Sequence, residues 1–197
     1  MQHNLALTDS NLNTAEGFVI GALSGLMTGI AAGADVCGIR NVGTRPLVIL
    51  GIRIRWVTTT AFTTAQALAF RVNKVYGFTA VHDTGTPVAV QAHHLHQSGI
   101  GGTTVGDRIA LTEISTTISS TAAISISSGY TAEDADEPDV FAVGAGSTLP
   151  GVYEDWTPPG LPLVLPTNTG LIINNHILMG AAGVGNLYVG VDGYRKG

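Results

Sequence analysis

The chain has 197 residues, 45% of them apolar and only 12% charged, with 26 glycines and a net charge of −5. That length amounts to one domain and is enough to bury a sizeable core. Nine Lys and Arg, scattered along the chain, exclude the basic footprint of a nucleic-acid binder, and a lone cysteine, Cys37, excludes an intrachain disulfide. A surface so poor in charge fits a molecule that other subunits cover.

The opening "MQHNLALTDSNLNTAEG" has neither a basic n-region nor an apolar h-region and does not read as a signal peptide. Its polar, Asn- and Thr-rich character predicts an N-terminal arm over 1–16, ordered by a partner, ahead of a single domain over 17–197. Next comes "GFVIGALSGLMTGIAAG", with glycine at 17, 21, 25, 29 and 33. As a membrane helix this stretch is short, lacks interfacial anchors, and carries five glycines costing about 1 kcal/mol each in helix propensity. A period of four is also a multiple of two, so the glycines share one face of an extended strand. Two strands broken near Ser24-Gly25 or Gly29 are expected. Val19, Leu23, Met27 and Ala31 would lie on the glycine face, and Phe18, Ile20, Leu26 and Ile30 on the other.

"PLVILGIRIRWVTTT" (46–60) alternates with period two. Val48, Leu50, Ile52, Ile54 and Trp56 form one face, and Arg53 and Arg55 lie on the other. "QALAFRVNKVYGFTA" (66–80) repeats the pattern with Leu68, Phe70 and Val72, although its first half also suits a helix. Further strands are predicted in 86–95, in 107–128 with a break, and in 138–146. Three more are predicted in 161–194, with turns at 166–170 and 180–186. "YTAEDADEPD" and "VYEDWTPPG" read as loops. Roughly eight to ten short strands and no convincing helix predict an all-β fold, a jelly-roll-like β-sandwich.

The best metal candidate is "AVQAHHLHQSG" (89–99). On a strand His94 and His96 share a face, a spacing that chelates zinc or copper, while His93 faces the other way. A third ligand would have to come from His82 or His176. The bland reading is a polar strand end or a His-rich surface on a symmetry axis. The acidic run 133–139 holds five of the fourteen acids but fails the calcium-loop pattern and reads as a solvated loop. "GIGGTTVG" and "GAGSTLPG" lack the third glycine and the lysine of phosphate loops. No nucleophile elbow is present, and Cys37 sits in an apolar run as an inert thiol. The acids avoid the predicted strands, where rigid catalytic groups are best held. No catalytic residue, cofactor or metal is therefore assigned, and no enzyme activity is expected.

Three stretches together resemble a family of tailed-bacteriophage structural proteins. They are "SGLMTGIAAGADVCGIRNVGTRPLVILGIRIRWVTTTAFTTAQALAFRVNKVYGFTA" (24–80), "GDRIALTE" (106–113) and "LPLVLPTNTGLIINNHILMGAAGVGNLYVGVDGY" (161–194). The resemblance implies a virion component, assembled in the host bacterial cytoplasm, that decorates or cements the capsid surface. Its implied partners are the major capsid protein and copies of itself, as a homotrimer, with no nucleic acid or membrane. Contacts are expected from the arm (Leu5, Leu7, Leu12) and from the loops around His93, His94 and His96 and around Trp156, Pro158 and Pro159. A tail, baseplate or head-fibre component is the competing virion role. A metal- or carbohydrate-binding β-sandwich using the His cluster and Trp156 is the reading from a different class.

Overall fold

The computed structural model describes residues 16–77 and 162–195, together with 86–87, 91–94, 109–110, 114–118, 131–132, 141–143, 146 and 152–156. Among these residues there is no helix, and the regular structure is β throughout. Two antiparallel sheets dominate. In the first, β12 (Val152–Trp156), β3 (Leu47–Thr60), β15 (Val184–Arg195), β1 (Glu16–Leu23), β7 (Gln91–His94) and β8 (Ile109–Ala110) lie side by side in that order. β13 (Leu163–Leu165) also pairs with β3. In the second, the order is β10 (Thr131–Ala132), β5 (Phe70–Tyr76), β14 (Thr169–Asn175), β2 (Ala34–Asn41), β9 (Ile114–Ile118) and β6 (Thr86–Pro87). β4 (Gln66–Leu68) and β11 (Phe141–Val143) form a separate two-stranded ribbon.

One apolar cluster joins the two sheets. The first contributes Phe18 and Ile20 from β1, Ile52, Ile54 and Trp56 from β3, and Leu187, Val189 and Val191 from β15. The second contributes Cys37 and Ile39, Phe70 and Val72, and Leu171 and Ile173. This face-to-face packing of inward rows defines a sandwich. At its centre the rings of Trp56 and Phe70 lie 6.1 Å apart at 31°, and the buried indole N–H donates to Thr58 Oγ1 at 3.0 Å.

Three bulges explain departures from simple alternation. Against β15, the register of β3 skips Leu50 and Thr59; between β14 and β2 it skips Val36. An extra residue shifts every side chain beyond it to the other face. Leu50 is therefore pushed outward while Ile49 is buried, which corrects the expectation that Leu50 shares the buried face with Ile52. For the same reason Val36 and Cys37, though adjacent, are both buried.

The glycine-rich stretch does break after Leu23. The Ser24 hydroxyl donates to Gly25 O and accepts the buried Leu187 N–H, each at 2.8 Å, so a side chain takes over from the backbone ladder. The expected second strand does not form. Residues 25–33 are a connection touching β15 only through a Met27–Gly185 bridge. Gly29 and Gly33 have φ of 59° and 77°, a left-handed conformation that ends extended structure. Just beyond the break the predicted faces are reversed at Leu26, exposed, and Met27, buried, whereas Ile30, buried, and Ala31, exposed, keep the facing expected of them.

The helical option for 66–80 gives way to β4 and β5, because Leu68, Phe70 and Val72 complete the core with strand spacing. "VYEDWTPPG" is not all loop. β12 runs antiparallel to β3 over Val152–Trp156, a strand set by its partner rather than by any periodicity of its own. Nor do the acids avoid strands, since Glu16, Asp35, Glu154, Asp155 and Asp192 all lie in them. Outward positions and edges accept charge at little cost. β1 begins at Glu16, the last residue assigned to the arm. Leu5, Leu7, Leu12, His96, Pro158, Pro159, Ile124, Ile126 and the acidic run 133–139 lie outside the described residues.

Candidate functional site

The outward face of β1, β15 and β3 carries the most distinctive surface among the described residues. Antiparallel partners share a face, so the register can be read as rows. One row runs Leu23, Tyr188, Arg55; the next Gly21, Gly190, Arg53; the third Val19, Asp192, Gly51. β12 continues two of them, with Tyr153 opposite Arg55 and Asp155 opposite Arg53. The middle row begins with two facing glycines and so has no side chains across two strands. The result is a trough of about 360 Å³, floored by Gly21 and Gly190 and walled by Leu23, Tyr188, Arg53 and Arg55.

The walls combine apolar surface with charge. Leu23 is 52% exposed and Tyr188 39%. Arg53 donates to Asp192 Oδ1 at 2.9 Å, an ion pair open to solvent on both sides. Such a pair adds at most about 1 kcal/mol to stability and mainly orients the guanidinium. The sequence showed Arg53 and Arg55 on an outward face. It could not show that Gly21 and Gly190 meet, because that depends on pairing β1 with β15 across the whole length of the chain.

A second surface lies at one end of the sandwich. The 24–33 connection and the 176–183 loop are tied together by Met179 N–H to Ile30 O at 2.9 Å and by Thr28 Oγ1 to Ala181 O at 2.9 Å. Asn175 Nδ2 donates to Ile30 O and Ala31 O at 2.9 and 3.1 Å. From this braced end Leu26 and Leu178 project, 56% and 64% exposed.

The predicted site residues fall as follows. His93 and His94 lie in β7 beside β1, opposite Gly17 and Glu16. Trp156 ends β12 opposite Ile52. Among the described residues no group of three His, Cys, Asp or Glu could hold a metal. His176, considered as a third ligand, has its Nε2 3.4 Å from an Arg71 guanidinium nitrogen, so that ring nitrogen already faces a cation. Cys37 is buried, and desolvation pushes its thiol from 9.0 up to about 12, leaving no thiolate near neutral pH. No helix among the described residues is long and apolar enough to cross a membrane. No family model, curated protein or solved structure matches the chain.

Proposed function

We propose that the protein is a structural subunit of a tailed-bacteriophage virion, a capsid decoration or cement protein bound as a homotrimer over the major capsid protein shell. The observation that carries this reading is the strand order. Eight strands run β1-β15-β3-β12 in one sheet and β2-β14-β5-β10 in the other. The first strand lies beside the last, the second beside the last but one, and the chain crosses between sheets at most steps. We read this order as jelly-roll-like, an architecture used by viral capsid and lectin domains. β6 to β9 come from the connection between β5 and β10 and widen both sheets beyond β1 and β2.

The surface is consistent with an assembling subunit. With 12% charged residues, faces can be buried against a neighbour without stranding many ions. The braced end carrying Leu26 and Leu178 is the apolar surface we assign to the shell or to a sister subunit. The sequence resemblance over 24–80, 106–113 and 161–194 points the same way. The role is contact rather than turnover: modest apolar interfaces, each contributing about 25 cal/mol per Å² and repeated over a shell, resist internal pressure.

The test is hydrodynamic. Light scattering on the purified chain is expected to give a trimer, and Leu178→Asp is expected to weaken its sedimentation with phage heads while leaving the strand spectrum intact. A monomer that does not sediment with heads overturns the reading. Sedimentation with tails instead moves the protein to the competing virion role.

A further inference from the structure

The fold does not require glycine at the floor of the trough. Neither Gly21 nor Gly190 has the left-handed backbone that side chains avoid. A Cβ at Gly21 would meet nothing within 4 Å, and one at Gly190 would find its closest neighbour, Arg53 Cβ, at an ordinary 3.6 Å. Other glycines of β15 are different: a Cβ at Gly185 would lie 2.3 Å from the Trp56 ring, and one at Gly193 2.2 Å from Val48 O. Glycine inside a strand costs stability because it gains nothing from packing and orders more backbone. At positions 21 and 190 that cost has no return within the fold. What the two glycines do is leave the space between Leu23–Tyr188 and Val19–Asp192 empty. The rows on either side are two residues up and two residues down the strands, so their backbones stand about 13 Å apart at 3.3 Å per residue, and the gap between their side chains is shorter than that.

We propose that this trough binds a residue of an acidic saccharide, a hexuronate or sialate, through its carboxylate and one ring face. The lining supplies each part of that recognition. A flat glycine floor and the Tyr188 ring, beside Leu23, accept the carbon face of a pyranose. Arg55 offers a planar guanidinium fork that matches a carboxylate in a bidentate pair, and Arg53, already engaged by Asp192, adds positive charge beside it. β1 is paired with β15 along its whole length but with β7 only over Glu16–Val19, so beside Gly21 and Leu23 its outer edge has no strand neighbour among the described residues. The volume of about 360 Å³ falls within the usual range for small-molecule sites, about 300–1,000 Å³. The inference stands apart from the virion reading, since it uses only this one sheet face.

Calorimetric titration of the full chain with trigalacturonate and with sialyllactose tests it, using maltotriose and lactose as neutral controls. At least one acidic probe is expected to bind, with its neutral control at least about tenfold weaker. Gly190→Val fills the floor and Arg55→Gln removes the fork. Each is expected to weaken binding at least about tenfold, with circular dichroism unchanged. If Gly190→Val fails to fold, Arg55→Gln, at an exposed position, decides. No binding of either acidic probe at millimolar concentration overturns the proposal, as does binding that Arg55→Gln leaves intact or that the neutral controls match.

Discussion

Two identical substitutions three residues apart in one strand should have opposite effects. Gly190 faces outward and Gly193 inward, separated by the bulge at Leu50. For Gly190→Ala the new Cβ makes ordinary contacts. The substitution removes glycine's unfolded-state freedom, a gain of about 0.4–1 kcal/mol. For a chain of this size that raises the melting temperature by roughly 1–4 °C. For Gly193→Ala the Cβ would stand 2.2 Å from the Val48 carbonyl oxygen and 2.8 Å from Phe18 Cζ. Phe18 belongs to the core and Val48 O to the neighbouring backbone, so neither yields without moving β3 against β15. Overpacking of this kind costs about 1–3 kcal/mol and occasionally more. We place Gly193→Ala at the upper end, a loss of roughly 6–12 °C. Thermal melts followed by circular dichroism, with urea titrations for the free energies, measure both variants. Shifts in the same direction, or a Gly193→Ala loss under about 0.5 kcal/mol, would refute the register and the facing assigned to β15.

Trp56→Ala removes the largest fully buried side chain and should cost about 3–5 kcal/mol in urea unfolding. Ser24→Ala leaves the buried Leu187 N–H without its side-chain acceptor and should cost about 1–3 kcal/mol. That loss should be accompanied by faster hydrogen exchange at Leu187. Asp192→Asn breaks only an open ion pair, and its melting free energy should stay within about 1 kcal/mol of wild type. Cys37 should resist aromatic disulfide reagents until the chain is denatured. Its folded-state pKa of about 12 exceeds the ordinary 9.0, so above pH 9 the unfolded chain releases this proton before the folded one does. Stability should fall from pH 9 towards 12 by up to about 1.4 kcal/mol per unit from this group. Cys37→Ala should lack that part of the decline.

The readable part of the fold was whatever a single strand carries within itself. β3 and β15 announce themselves by alternation, β14 by a short apolar run, and the turn before β14 by Pro166 and Asn168, the latter held at a φ of 61°. The bulges escaped because an extra residue is defined by the partner strand. Leu50 looks like a core residue until β15 is laid beside β3. β12 escaped because its acids suggested solvent and VYEDW has no apolar–polar alternation to set against that; its strand state comes from pairing with β3. The reversed facing of Leu26 and Met27 followed from an interruption whose length depends on how Ser24 meets Leu187. For the trough, Arg53 and Arg55 were visible as outward bases. The facing of Gly21 and Gly190 joins residues 169 apart in the chain, and no local pattern encodes it. The histidines drew attention through their residue type, whereas the walls of the trough are common residues made specific by their neighbours.

The central claim is that this sandwich serves a phage head through contact, and imaging tests it most directly. Particles purified with and without the chain would be reconstructed side by side by electron cryo-microscopy. We predict extra density on the outside of the head, three-fold in symmetry and large enough for two packed sheets per copy, present only when the chain is supplied. Identical heads in both preparations would contradict the account.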